Sequence, residues 1–447
     1  MQTEKHPIHD VVKNSLHLST ISYLIKWLII SSIVGILAGS ASALFLATLY
    51  WATETRISNP YFLYLLPVAG VIVSYAYTKF GANSGKGNNL ILEQIQGGKE
   101  HIPLRMAPLV LFGTIMTHLF GGSAGREGTA VQMASSMAES VGKVFKLDKM
   151  DRKIILISGI SAGFGSVFGT PLAGTVFGLE VIALGIVKYQ ALYPAFVASF
   201  VGDYVTTAWG IGHSHYELGF IPEASLLLVV KVVFAAVLFG LAGMLFSQMT
   251  YWSKTLFAKY FANPMLRSFV GGLIVLTIVL LLGTTDYIGL GLPLIYDSFE
   301  AEVSPFAFFL KTLLTSITLG AGFQGGEVTP LFVVGATLGN TISGFLGVPA
   351  PFLAALGFIA VFAAATNTPI ACFIMGIELF GADAAIYMFM ATMVSYFFSG
   401  HTGIYSSQKI GVSKSRLFSH HEEQTLLSAK KQTQEKEETP WKKSLSS

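Results

Sequence analysis

Gly121-Gly122-Ser123-Ala124-Gly125-Arg126-Glu127-Gly128-Thr129 lies between the apolar run 109–116 and a string of small and apolar residues from Ala130 to Val144. A charged pair among glycines makes no sense on a lipid-facing helix, where an unpaired carboxylate is costly and every backbone polar group needs a partner. It makes sense as a break between two helix pieces. Glycines let the backbone approach an ion, and the free N–H groups of the following helix point at it. Glu127 then falls in the first helical turn, where its carboxylate competes with a bound anion for the same donors. The stretch therefore reads as an acidic gate at an anion site.

Composition agrees with a membrane setting. Of 447 residues, 52% are hydrophobic and 12% charged, against roughly a quarter charged in an ordinary soluble domain. Mean hydropathy is +0.62. The single cysteine, Cys372, excludes an intramolecular disulfide. No Cys/His cluster has metal-ligand spacing, and His213 and His215 read as solvated loop residues, so neither metal nor cofactor is expected. A net charge of +3 argues against nucleic acid. The spans hold no Ser/His or His/Asp constellation, which argues against an enzyme.

Residues 1–20 are polar, carry no signal-peptide pattern and read as a cytoplasmic tail. The first span covers roughly 21–51, with Gly35, Gly39 and Ser40 suited to close helix packing. A second covers about 61–80. Gly85-Lys86-Gly87-Asn88-Asn89 is a second glycine-rich break before a short helix near 90–95, and by itself is equally an ordinary loop. Lys143, Lys146, Lys149, Arg152 and Lys153 make a basic loop that marks the cytoplasmic side. Further spans are expected near 190–210, 224–248, 268–283 and 304–320, ending at about 398. Residues 411–447 read as a polar, solvated cytoplasmic tail with no room for a nucleotide-binding domain.

The chain repeats itself. Gly159…Thr170-Pro171…Gly178-Leu-Glu180 aligns with Gly357…Thr368-Pro369…Gly376-Ile-Glu378 at a constant offset of 198. Upstream, Glu127 faces Glu327 at an offset of 200, each in a glycine-rich run. Two halves, about 21–220 and 221–410, each carrying a broken acidic motif and a Thr-Pro motif, are the pattern of a duplicated transporter with its site between the repeats. Sequence alone leaves open whether the repeat is inverted. Recurrence of Glu180 and Glu378 suggests a structural helix-end role.

With Gly85-Lys-Gly-Asn88, Gly125-Arg-Glu127-Gly-Thr129, Gly325-Gly-Glu-Val-Thr-Pro330 and Tyr405 in this order, the chain resembles the CLC family of chloride channels and anion/proton antiporters over residues 20–410. The departures resemble its fluoride/proton antiporter branch. Chloride-selective members usually carry Gly-Ser-Gly-Ile-Pro at residues 85–89, proline at Thr129 and Gly-Gly-Ile-Phe-Ala-Pro at 325–330. Chloride/proton exchangers have a second, internal glutamate where this chain has Val181. The resemblance implies an all-α integral membrane protein of two inverted-topology repeats with short, broken helices. It implies a homodimer in the cell membrane, with one pathway per subunit.

The implied function is export of fluoride in exchange for protons, with Glu127 as the protonatable gate. A passive chloride or anion channel, or a chloride/proton exchanger, is the alternative, and Val181 favours the channel. Fluoride is tightly hydrated, so its site needs strong donors. Those expected are Lys86, Asn88, Thr129, Thr329 and Tyr405, with backbone groups around Gly87, Gly125, Gly128, Glu327 and Val328. Lys86 either binds the anion or snorkels to an interface. Glu327 either lines the path or caps its helix. Phe120, just before the gate motif, is a candidate for lining the path.

Overall fold

The computed structural model describes residues 16–213, 216, 218–416 and 421–432. The expected N-terminal tail up to residue 15, His215 and the chain beyond residue 432 lie outside them. In order, the first half contains α1 (Leu16–Ser58), α2 (Leu66–Phe80), α3 (Asn88–Ile95), α4 (Met106–Leu119), α5 (Glu127–Val144), α6 (Lys149–Phe168), α7 (Pro171–Glu180) and α8 (Leu192–Ala208). The second contains α9 (Leu226–Tyr260), α10 (Pro264–Leu282), α11 (Leu292–Glu300), α12 (Ala307–Gly320), α13 (Val328–Leu346), α14 (Ala350–Thr366), α15 (Pro369–Phe380) and α16 (Ala385–Phe398). Among the described residues five helices are long and apolar enough to cross a bilayer, and several others are too short to do so alone. The protein is a multi-pass membrane protein built partly from half-spanning helices.

The repeat is visible in how the breaks are made. Gly169 closes α6 with φ +72 and Asn367 closes α14 with φ +59, each followed by Thr-Pro at the start of the next helix. A left-handed residue ends a helix cheaply when it is Gly or Asn, and proline begins the next at a position that needs no N–H. The helices so started, α7 and α15, exchange ends. Glu180, closing α7, accepts from the N–H groups of Ile370 (3.2 Å) and Ala371 (2.9 Å) at the start of α15. Glu378, near the end of α15, accepts from Leu172 (2.9 Å) and Ala173 (2.8 Å) at the start of α7. Each C-terminus meeting the other's N-terminus requires antiparallel helices related by a local two-fold, the geometry of an inverted repeat. The expected helix-end role of this pair is met.

The core lies between the halves. Phe164 of α6 stacks on Phe177 of α7 (4.3 Å between centroids) and on Phe362 of α14 (6.0 Å), while Phe332 of α13 stacks on Phe358 (4.0 Å). The helices α13 and α14 touch backbone to backbone, since a Cβ at Gly335 would run into the Gly357 carbonyl.

Two expectations are corrected. His213 is not a solvated loop residue: its side chain is 12% exposed and its Nε2 lies 3.4 Å from Asp203 of α8, packed against the turn at Gly169. The chain after residue 411 is not wholly a solvated tail. A two-residue strand, β2 (Lys409–Ile410), pairs in parallel with β1 (Ala183–Leu184), and Leu426 and Ala429 are buried against that pair. Two buried apolar residues are too few to register as a hydrophobic pattern in the sequence.

Candidate functional site

The loops preceding α5 and α13 meet face to face. Gly125 N–H donates to the Gly326 carbonyl at 2.6 Å, and Gly326 N–H returns the bond to Gly125 at 2.7 Å. Only residues without side chains allow this: a Cβ at Gly125 would lie 2.8 Å from the Pro330 ring, and one at Gly326 only 2.9 Å from the Gly128 nitrogen. The bridge brings the N-termini of two helices from opposite halves together.

Glu127 occupies that junction. It is the first residue of α5, with 1% of its surface exposed. Its Oε2 accepts from Arg126 N–H at 3.1 Å and from Thr329 N–H at 3.0 Å, and its Oε1 accepts from the Thr329 hydroxyl at 2.5 Å. Arg126 Nε stands 3.5 Å from Oε1. The carboxylate thus takes the orphan donors at the start of α13, a helix other than its own. These donors, on a positive helix end, are what an anion seeks.

Val328 and Thr329 form the first turn of α13, both buried. Glu327 precedes them, half-buried, and makes no side-chain cap, so the capping alternative for this residue fails. Glu127 caps the helix in its place. Gly128 packs against Gly326 and the Asn88 amide nitrogen. The Thr129 hydroxyl lies 2.7 Å from that of Thr114, and either can be the donor of the bond between them.

Below this junction a small cavity is lined by Asn88, Ile91, Val131, Phe177, Val181 and Tyr405. Asn88 opens α3, and its buried side-chain oxygen has no partner. Gly87 sits beside the Gln132 amide, whose oxygen is likewise buried and unpaired. Tyr405 is 6% exposed, with Glu327 and Glu127 both within electrostatic reach. The unpaired atoms are acceptors, so it is the NH₂ group of each amide that can donate to an anion here.

Lys86 is not part of this arrangement. Its Nζ binds Glu100 Oε1 at 2.8 Å and Glu93 Oε2 at 3.1 Å on the exposed side of α3, and these two carboxylates hold its pKa above the ordinary lysine value. The ammonium expected at the anion site is instead neutralised outside it. Phe120 caps α4 half-buried, its ring 5.6 Å from Phe62, at the edge of the gate loop.

The structure adds cations that the motifs did not reveal. Lys311 of α12 is fully buried and donates to the carbonyls of Tyr287 (3.2 Å) and Gly289 (2.8 Å). Gly289 also lies beside the Arg56 guanidinium, whose Nε is buried without a partner. His118, fully buried, bridges Thr114 and Ala124 carbonyls. Ala124 N–H in turn binds Gly289. A lysine, an arginine and a histidine therefore back the gate loop through the carbonyls of Gly289 and Ala124. A lysine within the apolar run 307–320 was the signal available in the sequence.

The same fold recurs among known proteins. The family described as "Voltage gated chloride channel" matches residues 69–400. A "Chloride/fluoride channel protein" of Pseudomonas syringae pv. tomato is 48% identical over 403 residues, 89% of each chain. An "H(+)/Cl(-) exchange transporter" of Yersinia pestis is 23% identical over 79% of this chain and 80% of its own. Among solved structures, a "CLC-type fluoride/proton antiporter" superposes with a TM-score of 0.84 at 34% identity, covering 87% of this chain and 98% of that one.

Proposed function

We propose, from the premise that this chain belongs to the CLC family of voltage gated chloride channels, that it exports fluoride in exchange for protons. The observation that carries the reading is the Glu127 carboxylate bound to Arg126 N–H and to the amide and hydroxyl of Thr329. Ionised, it fills an anion's place with an anion's contacts. Protonation removes the charge those donors favour, the side chain leaves, and fluoride takes the same donors. Proton and anion thereby compete for one position, which couples their movements in opposite directions. Asn88, Tyr405 and the backbone at Gly87 and Gly128 line the continuation of the path, and each subunit of a homodimer holds one such path. The names of the relatives above, fluoride antiporter and chloride/fluoride channel, support fluoride as the anion.

A passive channel is the second reading, and one observation favours it. Val181 gives the lower cavity an apolar wall where chloride/proton exchangers place an acid. The test is fluoride efflux from liposomes holding the purified protein, with internal pH followed and chloride run in parallel. Fluoride leaving with protons moving inward, and coupling lost in Glu127→Gln, is the expected result. Fluoride flux with no proton movement selects the channel. Chloride moving as fast as fluoride refutes the anion assignment.

A further inference from the structure

A cavity of about 290 Å³, away from the gate, opens where α6 begins and β1 pairs with β2. Three lysines from three segments line it: Lys153 of α6, Lys188 after β1 and Lys409 of β2. Among the described residues none of them forms an ion pair, and the one acid in the lining, exposed Glu423, leaves the cavity net positive. Its floor is fixed and polar: Gln96 Nε2 donates to the carbonyls of Ile182 (3.1 Å) and Ser407 (3.0 Å).

The cavity continues sideways. Ile154 and Gln190 are shared with a wide groove walled by Tyr23, Tyr189, Leu192, Tyr193 and Phe196, which is almost wholly apolar. The Tyr23 hydroxyl donates to the Gln190 carbonyl at 2.8 Å, holding α1 against this rim. Tyrosines at such a rim belong at the headgroup level of a bilayer, and the basic loop 143–153 beside it marks the cytoplasmic leaflet.

We propose that this composite site binds an anionic phospholipid, its phosphate among Lys153, Lys188 and Lys409 and its acyl chains along the groove. A free phosphate would use only the lysines and a neutral lipid only the groove. The continuity of the two, through Ile154 and Gln190, fits a molecule that has both parts.

The test uses the full-length protein in detergent, titrated with phosphatidylglycerol or phosphatidylcholine of identical chains and read by native mass spectrometry. Phosphatidylglycerol is expected to be retained at least about tenfold better, since it alone of the two carries a net negative charge for the three lysines. The variant Lys153→Gln/Lys188→Gln/Lys409→Gln should lose the preference, and the matching triple arginine variant should keep it. Equal retention of the two lipids, or an unchanged preference in the glutamine variant, overturns the proposal. So does displacement of the lipid by millimolar inorganic phosphate, which would mean a simple anion pocket. Should the glutamine variant not fold, a photoreactive phosphatidylglycerol on the unaltered protein decides. Labelling within 150–157 and 186–196 supports the site, and labelling elsewhere refutes it.

Discussion

The reciprocal caps of α7 and α15 make a prediction whose size follows from the structure. Glu180→Ala removes the acceptor for two N–H groups, those of Ile370 and Ala371, at a helix start in the protein interior. Glu180 itself is 7% exposed, so water does not easily replace it. A buried donor left unpaired costs roughly 1–3 kcal/mol, so the substitution should destabilise the fold by about 2–6 kcal/mol. Glu180→Gln keeps one acceptor oxygen and turns an amide NH₂ toward the other donor, so about half that loss is expected. Glu378 is less buried, and Glu378→Ala should cost only about 1–2 kcal/mol, the ordinary range for a lost cap. The chain supplies its own reporter. Cys372, the single cysteine, is fully buried one residue after Ala371, so a thiol-reactive fluorogenic dye labels it only when α15 opens. Heating in the presence of that dye should show the midpoint falling in the order Glu180→Ala, Glu180→Gln, Glu378→Ala, from largest drop to smallest. The largest drop should be on the order of 5 °C, at no more than about 2 °C per kcal/mol for a chain this long. Proton-coupled fluoride flux per folded molecule should remain within about twofold of the unaltered protein. A Glu180→Gln variant with an undisturbed midpoint but lost proton coupling would refute the reasoning and put Glu180 in the proton's route.

Other expectations are briefer. Asn88→Asp places a carboxylate in the cavity facing Tyr405 and should cut fluoride flux at least tenfold, since a like charge there costs more than about 1.4 kcal/mol; liposome efflux reads it. Lys311→Met keeps the volume and removes one donor from each of the Tyr287 and Gly289 carbonyls, which retain the Ser123 hydroxyl and the Ala124 N–H. Stability should fall by about 1–3 kcal/mol, the loss of two hydrogen bonds with neither acceptor left unpaired, read by thermal unfolding. At the start of α6, Asp148 accepts from the amides of Asp151 and Met150, which lowers its pKa from the ordinary 3.8. A depressed folded-state pKa stabilises above the unfolded value and loses that contribution as pH falls through the folded value. The extra fraying of α6 should therefore appear only below about pH 4, and Asp148→Asn should remove that pH dependence in amide exchange of residues 149–152.

Much of the molecule was legible because membrane burial punishes exceptions. A carboxylate among glycines at Glu127 and Thr-Pro at 170–171 and 368–369 are local anomalies, and each coincides with a helix start. The offset of 198 residues identified the duplication, and recurrence of Glu180 and Glu378 pointed to helix ends. Lys86 was misread because its partners, Glu93 and Glu100, stand on the far side of a short helix, and only the direction in which α3 runs decides whether a lysine faces pathway or solvent. Lys311 was passed over because a cation inside an apolar run is uninterpretable until the carbonyls it satisfies are known. His213 looked solvated because its loop is polar, while its ring is fixed by packing at Gly169 and proximity to Asp203.

What the sequence determined by itself is therefore the local chemistry: where the backbone breaks, which helix ends carry spare donors, and that the pattern occurs twice. What only the tertiary structure decided is who meets whom. The Glu127 carboxylate serves Thr329, some two hundred residues away, and Glu180 caps the helix that Glu378 ends. The reason is physical. Periodicity and propensity act over a few residues and leave their mark on them, whereas a hydrogen bond between halves exists only after both have folded and docked, and no feature near either residue records its partner.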